Sequence, residues 1–526
     1  MKLSYLLKDC APLWRRSLVP AFDPGADPDI SSIHNDSRDV KPGGLFIAVK
    51  GFKTDGHDYI DDAFKRGAAA VVTQEQIPGR QRIVEVSDTR RAMASIAARF
   101  YSEPSLTLCL IGITGTNGKT TTAFILESIL SRAGHSVGVI GTVNYRYMGK
   151  SYDNSVTTPE AIDLQGILSR MKSAGVTHVI MEVSSHGIDL HRVKNSYFDV
   201  GVFTNLTQEH LDYHRTMGRY FACKRRFFTR LLTSGPKAPR AAAVINLDDP
   251  RGQALSDALT YRVVTTAKNT SADISTADLS QSITGTTGTL KIEGKPYPFT
   301  SALTGSFNLE NILSAAGAAH SIGIDPLAII AGIEECRGVP GRLERVEPAF
   351  GRHVFVDYAH TPDALASILK ALRAQAAGRI ITVVGCGGDR DRSKRPIMAE
   401  IAVTLSDLVI ITSDNPRSED PQAIIRDMVK GIDTDLHAGL GLESGSEPGS
   451  KSGSDDFNGH KAFHVESDRR KALERAVLAS NPGDILVAAG KGHENYQILK
   501  GGTIHFDDRE VLLEALAHLY KSGEES

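Results

Sequence analysis

Residues 108–130, LCLIGITGTNGKTTTAFILESIL, carry the clearest indication of the fold class of this chain. This stretch opens with LCLIGIT, an apolar run of strand length, and continues through a glycine-rich turn at residues 115–118. From Lys119 onward the apolar residues recur at helical spacing. A strand, a tight turn and a helix in this order are typical of a parallel α/β fold, with the turn at the carboxyl end of the strand.

The segment GITGTNGKTT, residues 112–121, contains this turn and resembles a Walker-type phosphate-binding loop. Its glycines let backbone N–H groups face a phosphate, Lys119 reaches the β- and γ-phosphates, and Thr120 offers a hydroxyl to Mg²⁺. The loop is a variant, because Ile113 stands where the usual pattern has its first glycine. A strand-to-helix turn that merely requires glycines is the alternative; the lysine and the threonines after it favour ATP binding.

The strand-and-helix pattern repeats and divides the chain into three parts. Residues 1–105 mix short apolar runs with a helical stretch at 59–65, residues 106–338 alternate strands with helices, and residues 339–526 do so again. We therefore predict an α/β protein of three domains, with a central P-loop-type parallel sheet that binds ATP and a C-terminal Rossmann-like α/β domain. Polar residues follow nearly every strand, which places the expected ligand site at the carboxyl edges of two sheets.

Two segments break this pattern. Residues 260–300 alternate Thr, Ser and Gly with apolar residues, which predicts a small antiparallel insert. Residues 438–459 are rich in Gly and Ser and nearly free of large apolar side chains, which predicts a flexible surface insertion. We assign no function to the insertion.

Composition narrows the class of protein. The 526 residues carry 60 basic and 62 acidic side chains, so the net charge of −2 does not favour nucleic acid or an anionic membrane as partner. No apolar run reaches the roughly 18 residues of a membrane-spanning helix, and the N-terminus lacks the pattern of a signal peptide. The five cysteines are scattered without a CxxC pair, which favours reduced thiols. These features predict a soluble, multidomain protein of the cytoplasm.

Several residues outside the loop are candidates for chemistry. Glu182 ends an apolar strand, where a carboxylate is costly unless it binds something such as Mg²⁺; pairing with a basic residue is the alternative. His210, Asp212 and His214 form the pattern HLDYH, which fits metal ligation or phosphate binding no better than an ordinary polar loop. Lys224 lies in the basic run FACKRRFF and, by itself, is typical of a solvated lysine.

Taken together, the motifs resemble the Mur ligase family, the ATP-dependent amide-forming enzymes of peptidoglycan synthesis. The resemblance covers essentially the whole chain, in family order: TGTNGKTTT, TTPE, EVSSHG, TNLTQEHLDYH, SFNLEN, GRLE, DYAHTPDAL, GCGGDRDRSKRP, TSDNPR and AGKGHE. It implies a uridine-nucleotide substrate on residues 1–105, ATP on residues 106–338 and an amino acid on residues 339–526.

The resemblance also implies a role for individual residues. The ATP-binding set comprises Gly115, Thr116, Asn117, Gly118, Lys119, Thr120, Thr121, Asn308, Arg342, Asp357 and His360. The Mg²⁺ set comprises Thr120, Glu182, His210 and Lys224, with Lys224 carbamylated to N6-carboxylysine, and Lys119, Lys224 and His210 form the catalytic group. Carbamylation makes chemical sense, because CO₂ on a neutral amine yields a carboxylate that can bind a metal.

The positions that resemble the UDP-substrate site are Ser37, in the motif Asp36-Ser37-Arg38, together with Thr157, Thr158, Ser184 and Arg192. Two features depart from the family pattern. Leu190 stands where some relatives carry a polar Gln, which removes one substrate hydrogen bond. The Gly/Ser-rich stretch after residue 437 is an insertion.

The choice of amino acid depends on the motif Asp414-Asn415-Pro416-Arg417, which follows the strand DLVIIT. An arginine fork holds a carboxylate through two parallel hydrogen bonds, and meso-diaminopimelate differs from L-lysine by one distal carboxylate. If lysine bound, the charge of Arg417 would stay unpaired. DNPR is also the pattern of diaminopimelate-adding family members, in which the residues at Arg390, Gly490 and Glu494 complete the pocket. An ordinary salt bridge at the strand end is the alternative for Arg417.

The expected activity is ATP-dependent addition of meso-2,6-diaminopimelate to the D-Glu of UDP-MurNAc-L-Ala-D-Glu, through an acyl phosphate, by a monomer that uses Mg²⁺. An L-lysine-adding ligase and a folylpolyglutamate synthetase-like ligase are alternatives within the enzyme class. A regulatory nucleotide-binding module without ligase activity is the alternative outside it.

Overall fold

The computed structural model describes residues 1–8, 10, 27–52, 54–77, 81–154, 156–268, 270–432 and 462–524. Its strands form three main sheets and one two-stranded ribbon, which follow one another along the chain. No helix in these ranges is both long and apolar enough to span a membrane. The predicted insertion at 438–459 lies outside the described residues.

The first sheet contains four parallel strands in the order β1-β2-β3-β4. The strands are β1 Ser32–His34, β2 Gly44–Ile47, β3 Ala70–Thr73 and β4 Ile83–Glu85, and the helices are α1 Leu3–Leu6, α2 Ile60–Lys65 and α3 Thr89–Phe100. The Asp88 carboxylate accepts the Arg91 N–H and so caps α3. The predicted helix at 59–65 is confirmed within one residue.

The second sheet contains eleven strands, and seven of them form a continuous parallel run in the order β13-β12-β11-β10-β5-β9-β6. The strands are β5 Cys109–Thr114, β6 Val137–Ile140, β7 Tyr145–Tyr147, β8 Lys150–Tyr152, β9 His178–Glu182, β10 Val200–Phe203, β11 Ala242–Asn246, β12 Val263–Ala267, β13 Ile274–Ser282, β14 Gly285–Ile292 and β15 Lys295–Ser301. Apolar side chains fill both faces of the centre, as parallel strands require.

Helices cover both faces of this sheet. They are α4 Lys119–Arg132, α5 Ala161–Ser173, α6 Ser185–Asp189, α7 Leu211–His214, α8 Met217–Arg226, α9 Pro250–Asp257, α10 Ser306–Ser321 and α11 Pro326–Glu335. The expected antiparallel insert is present as β13, β14 and β15. This insert is part of the second sheet, because β13 pairs in parallel with β12 and continues that sheet.

The third sheet has the order β16-β17-β21-β18-β19-β20, in which only β16 runs antiparallel to its neighbour. Its strands are β16 Glu344–Arg345, β17 His353–Asp357, β18 Ile380–Val384, β19 Leu408–Ile411, β20 Ala462–Val465 and β21 Ile485–Ala489, and the ribbon is β22 Tyr496–Leu499 with β23 Gly502–His505. The helices are α12 Pro362–Arg373, α13 Lys394–Leu405, α14 Pro421–Val429, α15 Arg469–Leu478 and α16 Asp508–Glu524. The α/β fold with parallel sheets is therefore confirmed.

Candidate active site between the central and C-terminal sheets

The glycine-rich turn lies between β5 and α4, as predicted. Gly115 and Gly118 adopt φ values of +153° and +85°. A Cβ atom on Gly118 would lie 2.1 Å from Asn311 Oδ1, and one on Gly115 would lie 1.8 Å from Thr204 Oγ1. Glycine is required at both positions, because a side chain would collide with neighbouring elements as well as strain the backbone.

Two lysines contact the backbone of this turn. Lys119 Nζ donates to the carbonyl oxygens of Gly115 at 3.0 Å and Thr116 at 2.6 Å. Lys224 Nζ, on α8, donates to the same Gly115 oxygen at 2.7 Å. Burial, followed by repulsion from Lys119, holds the pKa of Lys224 well below its usual value. The lysine that sequence alone would treat as solvated is thus buried behind the phosphate loop.

Glu182 links the loop to neighbouring strands. It lies at the end of β9 and is almost fully buried. Its carboxylate accepts the Thr120 hydroxyl at 3.0 Å and both the N–H and the hydroxyl of Thr142, at 3.0 and 2.9 Å. Thr142 in turn contacts Thr157, with 3.1 Å between the hydroxyl oxygens. Three oxygen-bearing side chains therefore converge beside the phosphate loop.

A cavity of about 500 Å³ opens between the phosphate loop and the third sheet. The predicted site residues that line it are Gly115, Thr116, Asn117, Gly118, Lys119, Thr120, Thr121, Thr157, Glu182, Ser184, His210, Lys224, Asn308, Arg342, Asp357 and His360. The whole predicted ATP-binding and Mg²⁺ sets therefore meet at one place. The predicted residues outside this lining are Ser37, Thr158, Arg192, Arg390, Asp414, Asn415, Pro416, Arg417, Gly490 and Glu494.

The third sheet closes the cavity through direct contacts with the phosphate loop. Arg342 Nη2 donates to the Thr120 hydroxyl at 3.3 Å, and the Asn117 amide donates to Asp363 Oδ2 at 3.1 Å. Asp357, at the end of β17, accepts the N–H groups of Leu343 and Ala359 at 2.6 and 2.7 Å. Burial raises the pKa of Asp357.

The histidines of the cavity lie around Glu209, the residue before His210. His210 Nε2 is 3.5 Å and His360 Nε2 is 3.8 Å from its carboxylate oxygens. Burial lowers the pKa of His210 to about 4 and also lowers that of His360, so both imidazoles are neutral at pH 7. Burial acts to raise the pKa of Glu209, but nearby positive charge, including that of Lys119, outweighs burial and lowers it. A neutral His210 has a lone pair available for a metal.

The predicted diaminopimelate residues form a second cluster at the ends of β19 and β21. The Asn415 amide donates to Glu494 Oε2 at 2.8 Å, and its carbonyl oxygen accepts the Ile498 N–H at 2.9 Å. Gly490 has a φ of +113°, and a Cβ there would lie 2.9 Å from Asp414 Oδ2. Burial, with a smaller contribution from Asp414, raises the pKa of Glu494.

The side chains of Arg390 and Arg417 both lie close to Gly387. A Cβ on Gly387 would lie 2.8 Å from Arg417 Nη1 and 3.8 Å from Arg390 Cγ. Arg417 Nη1 donates to the Gly388 carbonyl at 2.8 Å, and Arg390 Nη1 donates to the Asp389 carbonyl at 3.1 Å. No ion pair of Arg417 with a carboxylate occurs in the described residues. Its guanidinium therefore has donors available for an external anion.

Four of the predicted UDP-substrate residues lie beside Glu182, at the junction with the first sheet. Thr158 Oγ1 contacts the Ser184 hydroxyl at 3.0 Å, and Arg192 Nη1 donates to the Thr158 carbonyl at 2.9 Å. Arg192 also pairs with Glu160 at 2.7 Å. Ser37 is separate from them, because it is buried at the start of a 3₁₀ turn, Ser37–Asp39, that follows β1 in the first sheet.

Three residues of the site were missed by sequence reasoning. Thr142 follows β6, so its position just past a strand end was a usable signal. Glu209 adjoins the selected His210, but a single acidic residue in a polar loop gave no reason to choose it. Tyr358 packs its ring 4.7 Å from the Arg342 guanidinium and 5.3 Å from the His493 ring, a contact that chain order does not indicate.

Three family descriptions match successive parts of the sequence. Residues 29–101 match the Mur ligase family catalytic domain, residues 113–319 match the Mur ligase middle domain, and residues 341–492 match the Mur ligase glutamate ligase domain. These matches lie in the same order as the three sheets.

Curated relatives match over nearly their whole length. The chain is 47% identical over 498 residues to UDP-N-acetylmuramoyl-L-alanyl-D-glutamate–2,6-diaminopimelate ligase of Geobacter metallireducens, covering 94% of this chain and 96% of that protein. It is 42% identical over 493 residues to the protein of the same name from Bacillus cereus, covering 94% and 95%.

Solved structures give the same result. A structure of UDP-N-acetylmuramoyl-L-alanyl-D-glutamate–2,6-diaminopimelate ligase matches with a TM-score of 0.67 and 32% identity, over 99% of this chain and 100% of that one. Folylpolyglutamate synthase of Mycobacterium tuberculosis shares the fold, with a TM-score of 0.60 at 18% identity, over 76% of this chain and 92% of that one. The chain is a member of the Mur ligase family of ATP-dependent amide-forming ligases.

Proposed function

We propose that this protein adds meso-2,6-diaminopimelate to the D-Glu carboxylate of UDP-MurNAc-L-Ala-D-Glu at the expense of ATP. The observation that carries the proposal is its 47% identity, over nearly the full length of both chains, to a relative that bears the name of this activity. The two clusters described above support it, because one suits nucleotide phosphates and the other suits a zwitterionic amino acid.

In the proposed reaction, the D-Glu carboxylate attacks the γ-phosphorus of ATP, the bond from that phosphorus to the β-γ bridging oxygen breaks, and ADP leaves. The amine of diaminopimelate then attacks the acyl carbon, loses a proton, and expels inorganic phosphate as the amide forms. The first step joins two anions, so positive charge and positioning supply most of the acceleration. Lys119 lies at the loop that would hold the β- and γ-phosphates, and Arg342 reaches the same loop from the third sheet.

The side chains around the loop suit Mg²⁺, which prefers oxygen ligands and retains several waters. The Thr120 hydroxyl and the Glu182 carboxylate already lie 3.0 Å apart, and His210 lines the same cavity as a neutral imidazole. When bound, Mg²⁺ would neutralise phosphate charge. Thr120, Glu182, His210 and a carboxylated Lys224 are the residues proposed to hold it.

We infer that Lys224 carries a carbamate in the active protein. Its buried side chain has a pKa well below the usual value, so a larger share of it than of an exposed lysine is the neutral amine that can attack CO₂. The N–C bond forms, one proton leaves the nitrogen, and the product is a carboxylate. The change would replace a cation repelled by Lys119 with an anion attracted to it.

The amino acid is proposed to bind between Arg417 and Glu494. Arg417 and Arg390 would hold the distal carboxylate, and Glu494, fixed by the Asn415 amide, would accept the distal ammonium. Arg417 makes no ion pair in the described residues, so its pairing with a substrate carboxylate would discriminate against lysine.

All of these groups belong to one chain, so a monomer suffices. ATP and nucleotide-linked substrates place the reaction in the cytoplasm.

The decisive experiment is ATP-dependent phosphate release with UDP-MurNAc-L-Ala-D-Glu and meso-diaminopimelate, L-lysine or no amine. We expect strong release only with diaminopimelate. Equal release with lysine would keep the ligase and overturn the amino acid assignment. No release with any amine, but release with a folate and glutamate, would favour the folylpolyglutamate alternative.

A further inference from the structure

A fully buried ion pair lies directly behind the diaminopimelate cluster. Arg469, on α15, donates to Asp508, the first residue of α16, through Nε at 2.8 Å and Nη2 at 2.6 Å. Neither side chain has any exposed surface. The pair is 39 residues apart in sequence and was not among the predicted site residues.

The remaining donors of this guanidinium reach two strand ends. Arg469 Nη1 donates to the Ser413 carbonyl at 3.3 Å, and Nη2 donates to the Ala489 carbonyl at 3.1 Å. Ser413 immediately precedes Asp414, and Ala489 immediately precedes Gly490. One side chain therefore fixes the two backbone positions from which the diaminopimelate cluster extends.

The segments that follow β19 and β21 contact each other past the end of β18, so a shift in one is transmitted to the other. The Asp414 carboxylate lies 2.9 Å from the position that a Cβ on Gly490 would take. The Asn415 amide bridges the two ends by its hydrogen bond to Glu494. Although burial opposes it, Asp508 and then Asp414 raise the pKa of Arg469, so the guanidinium also offsets negative charge in the cluster.

Stability alone does not account for this arrangement. A buried ion pair is often no more stabilising than an apolar pair of similar volume, because both charges lose their hydration. In contrast, the planar guanidinium of an arginine has donors in three directions, so it is well suited to hold several acceptors in a fixed arrangement. We propose that Arg469, held by Asp508, is a positioning residue that sets the separation of the β19 and β21 ends and thereby the affinity for the amino acid substrate. This inference rests on the proposed function of the cluster.

The test compares Arg469→Lys with wild type in the phosphate-release assay, measuring KM for the amino acid, for ATP and for the UDP-substrate. Lysine keeps the charge but cannot serve Asp508 and both carbonyls at once. We expect KM for diaminopimelate to rise on the order of tenfold, since small displacements of binding groups have large effects. KM for ATP and for the UDP-substrate should stay within about twofold.

Arg379→Lys is the matched control. Arg379 makes a similar two-pronged pair with Asp484, at 2.8 and 3.2 Å, but at the amino ends of β18 and β21 in the same sheet. It should leave all three KM values unchanged. An unchanged KM for the amino acid in Arg469→Lys, a parallel rise of all three values, or an equal rise in Arg379→Lys would each overturn the proposal.

Asp508→Asn provides a second variant, because it removes the charge of the partner and keeps an oxygen acceptor. If neither this variant nor Arg469→Lys folds while Arg379→Lys does, the pair is a folding element and the proposal is wrong. Wild type is assayed first with both amino acids. Release with L-lysine instead of diaminopimelate would refute the proposed substrate alone, and the KM comparison would then be made with lysine.

Discussion

Lys224 Nζ lies 2.7 Å from the carbonyl oxygen of Gly115, the first residue of the phosphate loop's turn. The contact places a buried amine of α8 against the loop that Lys119 also contacts. Burial lowers the pKa of both lysines, and repulsion from Lys119 lowers that of Lys224 further.

Lys224→Ala should abolish ligase activity, because the proposed carbamate and its contribution to the Mg²⁺ site are lost. With ¹³C-labelled bicarbonate, wild type should show one carbamate signal by NMR that is missing from the variant. Lys237→Ala is the control, since Lys237 is also buried but pairs with Asp199; it should keep the signal. A carbamate signal that persists in Lys224→Ala would refute the assignment.

Lys119→Ala should reduce ATP-dependent phosphate release by at least about 100-fold, the usual effect of removing a group that stabilises transferred charge. The UDP-substrate should still bind, since both hydrogen bonds that Lys119 makes within the described part of the chain are to the phosphate loop. Binding is checked by calorimetry without ATP. Normal phosphate release by this variant, with dipeptide substrate and amine present, would contradict the proposed role.

Arg417→Ala should raise KM for diaminopimelate about 10- to 100-fold, the range expected when a hydrogen bond to a charged group is lost. The ratio of activity with diaminopimelate to that with L-lysine should fall with it. Arg426→Ala is the control, because Arg426 is exposed on α14 and pairs with Asp420. Selectivity retained in Arg417→Ala would place the carboxylate of the substrate elsewhere.

The extent to which sequence predicted this site depends on how far apart the residues lie in the chain. The phosphate loop and Glu182 were identifiable because each follows an apolar strand, and strand ends meet at one edge of a parallel sheet. The burial of Lys224 could not be predicted from the sequence, since a helix that packs its polar residues behind a loop gives no periodic signal. The domain limits at 105 and 338 stay predictions.

Hydrogen bonds and ion pairs between residues far apart in the sequence could not be predicted, for the same physical reason. Asn415 and Glu494 were both selected, but their hydrogen bond joins residues 79 apart and depends on the order β21-β18-β19. Arg469 lies in the basic run DRRKAL, which resembles a solvated helix start until Asp508 is brought against it. That a charged side chain is buried can be predicted only when the position of its partner is known.

The raised pKa of Glu494 predicts how diaminopimelate binding changes with pH. Burial makes this carboxyl protonate at a higher pH than an ordinary glutamate, and the neutral form cannot pair with the distal ammonium. KM for diaminopimelate should therefore rise as the pH is lowered from neutral, while KM for ATP changes less. Glu494→Gln should have a high KM that is nearly independent of pH over this range; a variant that kept the wild-type pH profile would exclude Glu494 as its origin.

The contact between the rings of His135 and His178, whose centroids are 4.0 Å apart, predicts a loss of stability in acid. Burial, aided by His135, lowers the pKa of His178 from 6.5 to about 4. Between these values the unfolded chain binds a proton that the folded chain does not, so the free energy of unfolding should decrease as pH falls from about 6.5 to 4.

Urea unfolding at several pH values measures this effect. His178→Gln should make the decrease smaller, because glutamine does not titrate and only the contributions of the other buried histidines, such as His210, remain. His505→Gln is the control: the exposed His505 pairs with Glu510, which raises its pKa, so its contribution is present below pH 6.5 and is lost as the pH rises. If wild type and His178→Gln lose stability in parallel between pH 6.5 and 4, another group is responsible for the acid sensitivity.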